Sequence, residues 1–159
     1  MTSEQTPDAV RKSVTIAVTP SRAFELFTSH VEYWWPLGTH SVSAQTGSMS
    51  AQRCAFEPIA GGAFYEVDSE GRRHVWGKID LWQPGVRLSF SWHPGLPEAQ
   101  ATRVDVRFEP HGHGQTRVVL THDGWEARGD DARRTRDQYH TGWDSVINAG
   151  YAAYCARSA

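Results

Sequence analysis

The sequence has few of the features that anchor a chain in a membrane or stabilise it covalently. It contains two cysteines, Cys54 and Cys155, and neither lies in a CxxC or histidine-rich motif, so no disulfide framework or zinc site is expected. No apolar run approaches the ~18–20 residues that cross a bilayer, and the N-terminal sequence MTSEQTPDAV lacks a signal-peptide pattern. We therefore expect buried, inert thiols, no membrane partner and a cytoplasmic location.

An excess of basic residues is also missing. The chain has 16 Lys and Arg residues against 18 Asp and Glu residues, which leaves a formal net charge of −2. This charge is too low to neutralise several phosphates. The composition therefore excludes nucleic acid as an expected partner.

Motifs for metal, cofactor or nucleophilic chemistry are lacking as well. His111 and His113 lie in a Pro- and Gly-rich stretch that predicts an exposed turn, whereas catalytic zinc takes three protein ligands. Gly61 and Gly62 precede a strand pattern, and a phosphate-binding loop would lead into a helix. No Gly-x-Ser-x-Gly elbow occurs. We expect neither a metal nor a cofactor.

Aromatic residues, by contrast, are abundant. The 159 residues include seven Trp, five Tyr and six Phe. A chain of this length suits one domain, which buries about two-thirds of the surface of its unfolded form. The share of Trp is high for such a domain, so the positions of these side chains are the main question for function.

The N-terminal third predicts a strand followed by a short helix. Val14, Ile16 and Val18 alternate with polar or small residues, as in a half-buried strand over Arg11–Val18. Thr19-Pro20 then supplies an N-cap and a first helical residue. A second helical turn is expected before the next proline.

From about residue 50 onward, the pattern changes to period two and is broken by turn signals that delimit six strands. In one of these strands, the alternation places Ser89 on the solvent-facing side. The opposite, covered face of that strand is predicted to hold Val86, Leu88, Phe90 and Trp92.

The last segment predicts a long helix over Asp131–Arg157. At 1.5 Å per residue it is about 40 Å long, enough to cross the whole sheet. Small residues along it leave room beside the sheet; these are Gly142, Ala149, Gly150 and Ala153. We interpret residues 1–10 as a polar tail and 11–159 as a single domain.

Several short motifs resemble a known family when they are taken in their order along the chain. They are Thr19-Pro20, Trp34-Trp35-Pro36, Glu57-Pro58 with Gly61-Gly62, Trp76-Gly77, Trp92-His93-Pro94, Gly124-Trp125 and Gly142-Trp143-Asp144. Between about Val14 and Tyr154 the chain resembles the bacterial START-like (SRPBCC) superfamily. Within it, the chain looks like the Aha-type branch, which is named for activation of a chaperone ATPase.

The resemblance implies an α+β helix-grip fold, as in START-like and Bet v-like proteins. Such a fold has a curved antiparallel sheet of about seven strands, two short helices after the first strand, and a long C-terminal helix packed across the sheet. A ligand cavity lies between sheet and helix. The superfamily includes lipid and hormone binders, aromatase/cyclases and ring-hydroxylase domains, so the fold alone does not decide the activity.

The aromatic residues are the main candidates for a ligand site. They either line a cavity opposite the small residues of the helix or form a plain core. The indole N–H groups discriminate between the two, since they need partners when buried and can instead face a cavity water or a ligand. The candidates are Trp34, Trp35, Phe64, Trp92, Tyr139 and Trp143. Trp76 is a further candidate, although a bulge predicted at Gly77 leaves open whether Trp76 or Val75 faces inward.

Three polar residues accompany these aromatics. Strand alternation places Glu66 beside Phe64 on the covered face and does the same for His122, and His40 is expected at the cavity mouth. Glu66 and His122 could orient a ligand or act in acid–base chemistry. Alternatively, Glu66 pairs with Arg72 or Arg73, or lies at a strand end in water.

Three functions follow as hypotheses. The first is binding of a small apolar or aromatic molecule without catalysis. The second is a cyclase- or hydrolase-type enzyme that uses Glu66 or His122 as acid or base. The third is a chaperone-ATPase-activator-like interaction module. A homodimer is compatible with each.

Overall fold

The computed structural model describes residues 7–37, 39–40 and 53–158. Most of the predicted polar tail, residues 1–6, lies outside the described part. The described residues form one antiparallel sheet of seven strands in the order β1-β7-β6-β5-β4-β3-β2. The strands are β1 (Val10–Ile16), β2 (Arg53–Phe56), β3 (Ala63–Val67), β4 (Arg73–Gln83), β5 (Arg87–Trp92), β6 (Thr102–Pro110) and β7 (Thr116–Asp123).

Helices cover one face of this curled sheet. The two short helices α1 (Pro20–Thr28) and α2 (Val31–Trp34) follow β1. Short 3-10 turns lie at Glu98–Gln100 and Trp125–Asp131. The C-terminal helix is continuous and consists of α3 (Ala132–Asp144), a π-helical segment (Ser145–Ala152) and α4 (Ala153–Ser158). The helix-grip α+β architecture predicted from the sequence is therefore confirmed.

The first helix begins where the sequence indicates. The Thr19 side chain accepts a hydrogen bond from the Arg22 backbone N–H at 3.3 Å, and Pro20 occupies the first helical position. The preceding strand, however, ends at Ile16 and begins one residue earlier than expected, at the fully buried Val10.

Two predictions for β5 and its approach are wrong. Val86 is 58% exposed, because it belongs to the turn before the strand and not to the inward face. Ser89 is completely buried although it lies on the outer face. Its neighbours on that face explain this: Asp105 is its cross-strand partner and pairs with Arg87 at 2.6 Å, so two longer side chains cover the serine.

The bulge predicted at Gly77 is confirmed. Phe64 pairs with Gly77, whereas Tyr65 pairs with Val75, so Trp76 is the extra residue in β4. Trp76 is therefore the inward-facing residue, and Val75 is 43% exposed. A Cβ atom on Gly77 would lie 1.6 Å from the Ser91 carbonyl oxygen, so the approach of β4 to β5 requires glycine.

Glycines on the C-terminal helix serve two different purposes. A Cβ atom on Gly150 would lie 2.7 Å from the Trp34 carbonyl oxygen, so Gly150 permits close packing against α2 and leaves no cavity there. Ala149 is exposed and does not border a cavity either. A Cβ atom on Gly142, by contrast, would meet nothing within 4 Å.

We therefore expect opposite effects of alanine at these two glycines. Gly142→Ala should raise the free energy of unfolding by up to about 1 kcal/mol, because alanine is the better helix former. Gly150→Ala should lower it by about 1–3 kcal/mol through overpacking against Trp34. Urea denaturation of both variants measures the difference, and equal stabilities would contradict the packing role of Gly150.

Candidate functional site

A cavity of about 90 Å³ lies between α3 and the end of β5. Its aromatic walls are Trp35, Trp92, Tyr139 and Trp143. Pro94, Gly142 and Val146 complete the apolar lining, and Thr39 and His40 lie at the mouth. The cavity is thus mainly apolar with a few polar groups, as is typical of small-molecule sites.

Secondary structure explains why these aromatics converge. Tyr139 and Trp143 are four residues apart on α3, so they share one helix face. Trp92 is the last residue of β5, and Trp35 follows α2 in an extended conformation. Gly142 lies on the same helix and leaves the space between these walls open.

The walls are held by ring contacts. The rings of Trp35, Trp92 and Trp143 contact one another, with centroid distances of 5.7 Å for Trp35–Trp92, 5.9 Å for Trp35–Trp143 and 6.1 Å for Trp92–Trp143. The Trp35 ring also contacts Trp76 at 5.1 Å and Phe64 at 5.7 Å. Tilted and edge-to-face pairs at these distances stabilise the cluster beyond the effect of burial alone, so the cavity has a preformed shape.

The indole N–H groups of the walls have partners within the protein. Trp35 Nε1 donates to the His40 carbonyl oxygen at 2.7 Å, and Trp92 Nε1 donates to the Tyr139 hydroxyl at 2.9 Å. Trp143 Nε1 donates to His122 Nδ1 at 2.9 Å. These three donors are therefore satisfied within the protein, and none of them is left to face a water or a ligand in the cavity.

Hydrogen bonds fix the protonation of the buried His122. An indole nitrogen only donates, so His122 Nδ1 carries no proton and Nε2 carries the single one. Nε2 lies 2.6 Å from Thr102 Oγ1. The Thr102 hydroxyl in turn donates a hydrogen bond to the Trp92 carbonyl oxygen at 3.2 Å. Burial lowers the pKa of His122 to about 3. With both nitrogens engaged, His122 is unsuited to acid–base catalysis.

Glu66 is also a buried structural group. Its side chain is 0% exposed, so the alternative that it lies at a strand end in water is wrong. Glu66 accepts a hydrogen bond from Trp76 Nε1 at 2.6 Å. The salt bridges of Arg72 and Arg73 go to the carboxylates of other residues, so neither arginine is its ion-pair partner.

The structure divides the sequence-predicted site residues into two groups. One group lines the cavity and consists of Trp35, His40, Trp92, Tyr139 and Trp143. The other packs behind or beside this lining and consists of Trp34, Phe64, Glu66, Trp76 and His122. A ligand-binding role for the first group stays a prediction.

Comparison with known proteins identifies the family. Residues 17–154 match the model described as "Activator of Hsp90 ATPase homolog 1-like protein". The chain belongs to this family. A search of the curated proteins gives no match.

Solved structures of this fold include proteins with several stated roles. An anthrahydroquino-gamma-pyrone synthase, Txn09, is 36% identical over 80% of this chain and 84% of its own, with a TM-score of 0.55. The self-sacrificing resistance protein CalC of Micromonospora echinospora is 23% identical over 95% and 96%, with a TM-score of 0.68. The Aha1 dimer of Colwellia psychrerythraea is 14% identical over 87% and 95%, with a TM-score of 0.56. The last two likenesses show the fold alone.

The sequence analysis did not predict some of the residues that form the site. Thr39, Pro94 and Val146 border the cavity, and Thr102 holds His122. Strand alternation was a usable signal for Thr102, because it places Thr102 on the same face of β6 as the inward residues of that strand.

Among residues 7–37, 39–40 and 53–158, no cluster of His, Cys, Asp or Glu side chains is suited to a metal ion. None of the described helices is long and apolar enough to cross a membrane.

The buried neutral His122 predicts an acid-dependent loss of stability. Its pKa is about 3 in the folded protein and near 6.5 when unfolded, so below pH 6.5 the unfolded chain binds a proton that the folded protein does not. The free energy of unfolding should fall by up to about 1.4 kcal/mol per pH unit from pH 6.5 towards 3. Urea denaturation of the wild type and His122→Gln at pH 7.5, 6 and 4.5 tests this, since glutamine can accept from Trp143 and donate to Thr102. Equal slopes in the two proteins would contradict the assignment.

Proposed function

We propose that this protein binds a small aromatic molecule in the cavity between β5 and α3. The observation that carries the proposal is the open space at Gly142, which faces walls formed by Trp35, Trp92 and Trp143. A helix that served only to fill the core would gain stability from a larger residue at this position. Flat aromatic ligands match such walls through ring stacking.

The cavity volume limits how much of a ligand is enclosed. About 90 Å³ is well below the ~300–1,000 Å³ of pockets that enclose drug-sized ligands. The described residues therefore enclose part of one ring, such as one edge of a fused-ring molecule. The 36% identical relative is an anthrahydroquino-gamma-pyrone synthase, a name that refers to a fused-ring product, and this supports an aromatic ligand.

A second candidate function is conversion of the bound molecule, and that same relative favours it because it is a synthase. Glu66 and His122 are the two residues predicted to act as acid or base. They do not support a reaction in the cavity, since both accept hydrogen bonds from indole groups and neither lines the cavity. Reactive groups would instead be His40 and Tyr139, which line it. Chaperone contact, a homodimer and a cytoplasmic location stay predictions.

Filling the space at Gly142 tests the binding proposal. Gly142→Leu should weaken binding of 1-indanone or its hydrocarbon analogue indane by at least about tenfold, which corresponds to about 1.4 kcal/mol. The side chain should enter the cavity without destabilising the helix, because leucine is a better helix former than glycine. Titrations followed by the indole N–H signals in ¹H–¹⁵N correlation spectra measure the affinity.

Gly142→Ala is the matched control, since a single methyl group leaves most of the volume free. A melting temperature of Gly142→Leu at or above that of the wild type would show that lost binding is not lost folding. Binding by Gly142→Leu equal to that of the wild type would overturn the proposed site. Failure of both probes to bind the wild type would overturn the proposed function.

A further inference from the structure

The donor and acceptor of the hydrogen bond between Trp92 and Tyr139 in the cavity wall are defined by their chemistry. A tyrosine hydroxyl can donate one hydrogen and can accept, whereas an indole N–H only donates. Trp92 Nε1 lies 2.9 Å from the Tyr139 oxygen, so Tyr139 is the acceptor in this bond. Its own hydrogen has no acceptor among the described residues and is available to a molecule in the cavity.

The bond from Trp92 cannot readily reverse or move away. The Trp92 carbonyl oxygen is an acceptor for Thr102, and Thr102 is bonded to the buried His122. The Trp92 ring is also enclosed by Trp35, Trp76 and other aromatic rings. The indole is therefore held in place with its N–H on Tyr139.

The other wall donors are already used. Trp35 donates to the His40 carbonyl oxygen, and Trp143 donates to His122. At the mouth, His40 Nδ1 lies 2.7 Å from the Thr39 hydroxyl. Burial raises the pKa of Tyr139, which keeps its hydroxyl protonated at neutral pH. Of the four aromatic walls, Tyr139 is thus the one that still has a hydrogen to donate to a ligand.

We propose that Tyr139 selects ligands that carry a hydrogen-bond acceptor on an aromatic ring, such as an aryl ketone, over hydrocarbons of the same shape. This inference rests on the proposed function, because it concerns the same cavity. An aryl ketone places a carbonyl oxygen in the plane of its ring, so the ring can pack against the tryptophan walls while the oxygen meets the hydroxyl. Tyr139 acts here as a specificity-determining residue.

A matched pair of probes separates shape from acceptor chemistry. 1-Indanone and indane share the same fused-ring shape and differ by one carbonyl oxygen. The wild type should bind 1-indanone about three- to tenfold more tightly than indane, the range expected for one hydrogen bond. In Tyr139→Phe this ratio should fall to about one, with indane binding little changed.

Indole N–H signals in ¹H–¹⁵N correlation spectra provide both the affinity and the location. Signals of Trp92 and Trp143 should shift on titration, and those of Trp34, which donates to the Leu26 carbonyl oxygen away from the cavity, should not. Tyr154→Phe is the matched control, because the Tyr154 hydroxyl is bonded to His30 and lies outside the cavity lining. Its ketone preference should equal that of the wild type.

A second variant protects the test against misfolding of Tyr139→Phe. Trp92→Phe removes the N–H donor and keeps the Tyr139 hydroxyl, which then becomes able to accept as well as donate. The variant should therefore bind 4-aminoindane, a donor-bearing analogue, more tightly relative to indane than the wild type does. An unchanged ratio would contradict the proposal that the bond from Trp92 restricts Tyr139 to donating to a ligand.

The outcomes separate the two proposals. If both probes bind the wild type equally, or if Tyr139→Phe keeps the preference for the ketone, the selection by Tyr139 is wrong while the cavity stays a binding site. If neither probe binds, the proposed function itself fails. A ketone preference that disappears only in Tyr139→Phe supports the inference.

Discussion

A buried indole N–H is costly without an acceptor, and the interior between sheet and helix supplies one for most of the buried tryptophans, Trp125 being the exception. Five of the seven tryptophans donate such a bond within the described residues. Four of the five acceptors lie on another helix or strand, so these bonds also connect the elements. Trp92 ties β5 to α3 through Tyr139, and Trp143 ties α3 to β7 through His122. The same bonds that satisfy the donors therefore hold the C-terminal helix on the sheet.

This arrangement has a chemical consequence for the cavity. Glu66 and His122 are residue types that often act in catalysis, yet here they serve as acceptors for indole groups in the packed interior. Using them in this way leaves the cavity with apolar walls and few polar groups. In the proposed binding role, recognition depends on ring shape and on the groups at Tyr139 and His40. Membership of a family with this fold is consistent with several activities, so these side chains carry the functional argument.

Three glycines show how one residue type meets different physical demands. Gly77 allows two strands to approach at a bulge, and Gly150 allows the C-terminal helix to approach the Trp34 backbone. Gly142 has open space where a side chain would be. Sequence spacing alone treats Gly142 and Gly150 alike, because both lie on the inward side of one helix. Only the positions of neighbouring backbone atoms distinguish close packing from a cavity.

The sequence by itself determined the order of elements, the capped start of α1, the bulge at Gly77 and the aromatic composition of the interior. These depend on local periodicity and on backbone preferences of single residues, which act over a few positions. Tertiary structure decided that Ser89 is covered, that Glu66 pairs with Trp76, and that His122 lies between Trp143 and Thr102. Strand alternation tells which face a side chain occupies, but its hydrogen-bond partner comes from an element distant in sequence. For the same reason, the sequence indicated an aromatic cavity, and only the fold showed which of the wall donors are bonded within the protein.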